Sequence, residues 1–149
     1  MTKHSEQRQM PYSAAEMYDL VADVARYPEF LPWTAAARIR SRTPIEGGEV
    51  LEADLVISFK LFREKFGSRV TLWPKERIDT EYLDGPFKHM KSHWIFADDP
   101  KGCRVDFHVD FEFRSAILQG IIGLVFTEAM RQVVRAFERR AVVLYGPRG

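Results

Sequence analysis

Cysteine is nearly absent from this sequence. Cys103 stands alone, so no disulfide can form within the chain, which fits a reducing compartment or one where disulfides are not needed. Neither sign of charge is in excess. Lys and Arg total 22 against 21 Asp and Glu, which leaves no general field for nucleic acid or anionic lipid, and DNA is not an expected partner. A glycine-rich phosphate loop, a nucleophile elbow and an HExxH pair are all missing. The opening MTKHSEQRQMPYS has no apolar core, unlike a signal peptide, and only Lys3 and Arg8 as basic residues, too few for a presequence. The apolar run from Ala116 to Phe126 falls short of the ~20 residues a spanning helix needs. The expected location is the cytoplasm, with peripheral contact at the inner membrane left open. No repeat or low-complexity linker divides the 149 residues, so one domain is expected over 1–149, with its core at about 4–145. A chain of that length buries about 68–70% of its unfolded surface and needs no disulfide or metal to hold a core.

Aromatic residues, by contrast, are plentiful, with eleven Phe among them. They fall into two kinds of pattern. Between Ser115 and Tyr145, apolar residues from Ile117, Leu118, Ile121 and Ile122 through Val125, Ala129, Val133, Ala136 and Phe137 to Val143 and Leu144 recur at three- and four-residue steps. That is the period of a helix with one buried face. About thirty residues at ~1.5 Å each give a helix of about 45 Å. Gly120 and Gly123 are placed to loosen its first turns. Upstream the period is two. Over 103–113, Cys103, Val105, Phe107, Val109, Phe111 and Phe113 share one parity, and Arg104, Asp106, His108, Asp110 and Glu112 share the other. Over 49–61, Leu51, Ala53, Leu55, Ile57, Phe59 and Leu61 do the same, with Val50 and Val56 as exceptions. Strands with one wet face read in this way, as in an antiparallel sheet.

The remaining elements follow from turn and cap chemistry. Residues 4–12 read as an edge strand ended by Pro11. Ser13 and Glu16 form a capping box before a short helix at 14–22. Asp23 is expected to cap a second short turn that stops at Tyr27-Pro28. Strands are expected at 34–43, 64–73, 75–83 and 87–97, with turns at 45–48, 84–86 and 98–102. No βαβ rhythm appears, which argues against a parallel sheet. The expected fold class is therefore α+β: a curved antiparallel sheet wrapped around a long C-terminal helix, with two short helices after the first strand. An incomplete fit between sheet and helix leaves an apolar cavity.

Several stretches, in this order and spacing, resemble the coenzyme Q-binding branch of the START-like, helix-grip lipid-binding proteins, a branch related to a ribosome association toxin family. They are Tyr27-Pro-Glu-Phe-Leu-Pro-Trp33, Gly85-Pro-Phe-Lys88 with Trp94 and Phe96 after it, Val105 to Ser115, and Ala136-Phe-Glu-Arg-Arg-Ala141. The resemblance spans about residues 4–145. Thr34 departs from it, since many relatives are expected to carry Cys after Pro-Trp. The resemblance implies a non-enzymatic carrier that binds ubiquinone or a related isoprenoid lipid and supports respiratory electron transport, with no cofactor required beyond that bound ligand. A ribosome-binding inhibitor of subunit association is the second function implied, and a polyketide cyclase or aromatase the third. The third needs an acid or base inside the cavity, and the inner faces of 49–61 and 103–113 offer none.

The residues expected to meet a hydrophobic ligand are Phe30, Leu31 and Trp33 from the loop before the sheet. From the strands come Leu55, Ile57, Phe59, Leu61, Val70, Phe87, Lys88, Met90, Trp94, Phe96, Phe107, Val109 and Phe111. From the long helix come Leu118, Ile122, Val125, Phe126 and Met130. Taken singly, each apolar member is also ordinary core material. Lys88, Trp33 and Trp94 are the candidate donors to a head group. The run 59–62 reads as strand interior or as an apolar lip. His89 and His93 are four apart, but four strand residues span about 13 Å, so shared metal coordination is not expected. His108 is assigned to a solvated face and Cys103 to a buried, unreactive thiol.

Overall fold

The computed structural model describes residues 2–59 and 62–148. Lys60 and Leu61, and with them most of the 59–62 lip, lie outside the described residues, as do the side chains of Phe59 and Phe62.

The described residues form seven strands, two α-helices and a 3₁₀ turn. The strands are β1 (Thr2–Met10), β2 (Thr34–Ile45), β3 (Gly48–Phe59), β4 (Phe62–Trp73), β5 (Arg77–Asp84), β6 (Phe87–Asp99) and β7 (Gly102–Phe113). They make one sheet in the order β1-β7-β6-β5-β4-β3-β2, with every neighbouring pair antiparallel. Apart from β1, which crosses over to pair with β7, each strand pairs with the next in sequence. The turns expected at 45–48, 84–86 and 98–102 join β2 to β3, β5 to β6 and β6 to β7. Alternation holds best in β7, where Cys103, Val105, Phe107, Val109, Phe111 and Phe113 are all buried. The other edge, β2, is largely exposed.

Helix α1 (Ala14–Ala22) begins as its sequence dictates. The Ser13 hydroxyl accepts from Glu16 N at 3.1 Å, and Ser13 N donates to the Glu16 carboxylate at 3.0 Å. Met17, Tyr18, Leu20 and Val21 are its buried face. The following 3₁₀ turn, Val24–Glu29, differs from expectation in two ways. The Asp23 side chain makes no cap hydrogen bond and pairs with Arg26 instead, at 3.3 Å. The turn also runs through Pro28 to Glu29, because the fixed φ of proline suits a helical turn even where its missing N–H costs a bond.

Helix α2 (Ala116–Tyr145) is unbroken through Gly120 and Gly123. Ser115 Oγ accepts from Leu118 N at 3.2 Å to cap it. Phe126, Val134, Ala136, Phe137 and Ala141 are buried. Ile117, Ile121, Val143 and Leu144, expected on the buried face, are exposed, and so is Leu124. Steps of three and four cover more of the helix circumference than one sheet can shield, so part of the pattern faces outward. The helix is long and apolar enough to cross a membrane by length and composition, and its apolar window is mostly exposed. The apolar stretch does not end at Phe126, because apolar residues continue between the charges that follow.

Two ends hold α2 in place. At its start, Gln119 accepts from Phe113 N at 2.8 Å and donates to Thr2 Oγ1 at 2.7 Å. At its end, Tyr145 Oη donates to the Glu16 carbonyl at 2.9 Å, Tyr12 Oη donates to the Gly146 carbonyl at 2.7 Å, and Arg140 reaches Glu29 at 3.0 Å.

The outer face of the sheet carries its own tie. Arg40 of β2 pairs with Asp54 of β3 and, at 3.1 Å, with Asp84 of β5, passing over Gly67 of β4. A Cβ at Gly67 would lie 2.6 Å from the guanidinium, so a larger residue there would displace the end of the arginine side chain. Asp54 is only 6% exposed, and its hydrogen bond with Arg40 holds its carboxyl below the usual range.

Candidate functional site

A cavity of about 310 Å³ lies between the inner face of the sheet and α2. Its walls are built by parity. Inward positions of β3 supply Leu55 and Ile57 and those of β7 supply Phe107, Val109, Phe111 and Phe113, while β6 supplies Met90 and Trp94 on one parity and Phe87 on the other, across a register shift between Phe87 and His89. Helix α2 covers them with Ile122, Val125, Phe126, Ala129, Met130, Val133 and Phe137. The loop before β2 closes one end with Leu31, Pro32 and Trp33, and Trp33 adopts a φ of 62°.

Aromatic contacts set the shape. Trp94 lies 4.3 Å from Phe107 and 5.0 Å from Phe137, centroid to centroid, and Phe126 lies 4.6 Å from Phe111. Tyr27 meets Phe137 edge-on at 5.6 Å. Its hydroxyl donates to the Val21 carbonyl, and burial pushes its pKa well above the ordinary phenol range. These rings bridge sheet, loop and helix, so they hold α2 off the sheet as well as against it.

Fourteen of the residues singled out from the sequence border this space: Leu31, Trp33, Leu55, Ile57, Phe87, Met90, Trp94, Phe107, Val109, Phe111, Ile122, Val125, Phe126 and Met130. Others lie elsewhere. Phe30 packs on Phe137 at 5.3 Å under the Arg140 guanidinium. Phe96 packs on Tyr18 at 5.9 Å, facing α1. Val70 and Leu118 belong to the packed core and its margin. Lys88 is exposed although it shares the parity of Met90 and Trp94, because the register shifts between Phe87 and His89 and breaks the alternation there. It is not available as a donor inside. Leu61 and the side chain of Phe59 lie outside the described residues.

The polar lining was missed. Glu64, Ser68, Thr80 and Ser92 all border the cavity, with Thr34 at the Trp33 end. Glu64 and Ser68 share the parity of Phe66, Val70 and Leu72, and that was the available signal. The cavity therefore does hold a carboxylate, on β4, although β3 and β7 offer none. No Lys, Arg or His lines it among the described residues.

Three of the four histidines sit on the opposite face, while His4 packs edge-on against Phe126 of α2 at 6.3 Å. His89 hydrogen-bonds Asp110, and His93 stacks on His108 at 5.2 Å. His108 also meets Ser5 at 2.6 Å. Burial works to raise the Asp110 carboxyl, but hydrogen bonds from His89 and His108 outweigh it and hold the group low. Among the described residues no three His, Cys, Asp or Glu side chains are grouped to hold a metal. Cys103 is fully buried, and that burial, with Asp98 and Asp99 nearby, pushes its thiol up to about 11.

An antiparallel sheet closed on a C-terminal helix, with an oily hollow between, defines a START-like helix-grip protein. The chain matches a START superfamily protein from Mycobacterium smegmatis with a TM-score of 0.79 at 18% identity, over 95% of this chain and 98% of that one. The chain belongs to the polyketide cyclase/dehydrase and lipid transport family, which matches residues 10–138. It is 40% identical to the ribosome association toxin RatA of Rickettsia prowazekii, over 89% of this chain and 90% of that protein. It is also 32% identical to the mitochondrial coenzyme Q-binding protein COQ10 homolog B of Xenopus laevis, over 97% of this chain and 59% of that longer protein.

Proposed function

We propose that the protein binds ubiquinone or a related isoprenoid lipid between sheet and α2, and acts as a carrier that supports respiratory electron transport without chemistry of its own. The observation behind this reading is the aromatic-walled cavity of about 310 Å³. Ligand pockets run roughly 300–1,000 Å³, so this one suits a head group and the first part of a tail. The rest of a long tail would leave between the loop and the helix. Apolar burial contributes ~25 cal/mol per Å² removed from water, less the cost of ordering the ligand. The exposed Ile117, Ile121 and Leu124 add an apolar surface suited to peripheral contact with a membrane. No cofactor beyond the bound lipid is invoked. Protein purified from quinone-producing cells should yield an isoprenoid quinone on organic extraction and mass spectrometry. An empty extract, with no quenching of Trp fluorescence by added quinone, would overturn the proposal.

The likeness to a ribosome association toxin favours a second reading, in which the protein binds a ribosomal subunit. Its surface candidate is the α2 face bearing Arg131, Arg135 and Arg139, all exposed, with Glu128 3.9 and 3.8 Å from the first two. Sedimentation with separated ribosomal subunits across a salt series tests it. Co-sedimentation that weakens as salt rises supports it, and free protein at every salt concentration rejects it.

A further inference from the structure

The lipid-carrier reading leaves open how the head group is held. We propose that Ser68, Thr80 and Ser92 form a head-group subsite that takes a neutral, oxygen-bearing head and refuses an anionic one. This inference rests on the lipid-carrier reading above.

The three hydroxyls come from β4, β5 and β6, which are consecutive in the sheet. Thr80 is paired directly with Ser92 on one side and with Val70 on the other, and Ser68 is the next inward residue from Val70. Directly paired side chains start about 4.5–5.5 Å apart and diagonal ones about 7–8 Å, so the three form a slanted row of about one aromatic ring's reach per step. All three border the cavity. Ser68 is 2% exposed and lines the hollow. A hydroxyl at the wall of an apolar hollow can donate to or accept from a ligand oxygen that enters beside it.

The chemistry of the row selects its guest. A hydroxyl both donates and accepts, so it serves a carbonyl oxygen or a hydroxyl equally well. A carboxylate or phosphate would need a cation or several fixed donors once removed from water. Among the described residues the lining offers no Lys, Arg or His, and Glu64 stands four residues along β4 from Ser68, about 13 Å away, adding repulsion. Trp94 and Phe107 flank the row and supply ring faces for a flat head.

The test compares three probes on wild type and on Ser68→Ala, Thr80→Val, Ser92→Ala and Glu64→Gln. A short-tailed benzoquinone is followed by quenching of Trp fluorescence. Diphenylhexatriene, a hydrocarbon with no head group, is followed by its own emission. A fatty acid and the alcohol of the same chain length are compared by displacement of that hydrocarbon. Each hydroxyl variant should weaken quinone binding about tenfold, the scale of one lost hydrogen bond. Hydrocarbon uptake should stay unchanged. The alcohol should displace the hydrocarbon at least about tenfold better than the acid, and Glu64→Gln should narrow that gap. Should Ser68→Ala fail to fold, Thr80→Val and Ser92→Ala carry the comparison. Unchanged quinone affinity in the hydroxyl variants, with hydrocarbon still loading, overturns the subsite and leaves the carrier reading standing. Fatty acid that displaces as well as the alcohol also overturns it. Failure of wild type to take up either quinone or hydrocarbon overturns the carrier reading itself.

Discussion

Arg148 holds Glu16 through two hydrogen bonds, of 2.7 and 3.0 Å, and so ties the chain beyond α2 to the first turn of α1. Together with the bond from Ser13 N, this lowers the Glu16 carboxyl from 4.5 to about 2. A carboxylate with a depressed folded-state value stabilises the fold fully above its unfolded value, and that gain is lost as pH falls through the folded one. The stability gap between wild type and Arg148→Ala should therefore be flat above about pH 5 and shrink steadily toward pH 2. Denaturant melts across that range measure it. A gap as wide at pH 2.5 as at pH 7 would show that the pair does not set it.

Gly102 starts β7 at a φ of +140°, and a Cβ there would lie 2.2 Å from the Met10 carbonyl oxygen. The obstacle is backbone that is itself paired in the sheet, so nothing nearby yields easily. Gly102→Ala should destabilise by about 3 kcal/mol or more, through strain together with loss of the β1–β7 edge pairing. Equilibrium urea unfolding reads this directly, and a change under about 1 kcal/mol would contradict it.

Cys103 is fully buried and its thiol is pushed up to about 11 by that burial. The thiolate is the reactive form. Folded protein at pH 7 should therefore leave a thiol reagent unconsumed over minutes, whereas denatured protein should consume one equivalent. Rapid labelling of the folded protein would mean that the β7 end opens far more readily than its packing suggests.

Ala129 lines the cavity from the helix side with the smallest side chain of the α2 set. Replacing it by Phe should fill much of the hollow and weaken quinone binding by about tenfold or more, while the melting temperature holds or rises. Parallel binding and thermal melts separate the two effects. Unaltered quinone affinity in a folded Ala129→Phe variant would place the ligand elsewhere.

The fold was legible because its signals are long. Strand β7 alternates without a break, α2 repeats for thirty residues, and the box at Ser13 and Glu16 is local chemistry that tertiary contacts do not disturb. The START-like resemblance added the cavity, which periodicity alone gives only as a consequence of poor fit. The polar row escaped notice because Gly67 and Ser68 blur the alternation of β4, and the register slips between them. Thr80 and Ser92 are short hydroxyl residues that look alike on either face of a strand. Which parity borders a hollow depends on where α2 stands off, and that is a matter of ring contacts such as Trp94 with Phe137. The outward Ile117 and Ile121 were misplaced for a related reason: an apolar pattern wider than the sheet it meets cannot say which edge is left over.

Helix α2 is fastened unevenly. Its last turns are tied through Tyr145, Arg140 and Gly146, but its first turns rest chiefly on Gln119, and Gly120 and Gly123 have no neighbour within 4 Å of where a Cβ would be. It is built like a cantilever whose free arm lies over the hollow. Amide deuterium uptake should fall progressively from its beginning to its end, and a guest bridging arm and wall should level that gradient by slowing the early turns most.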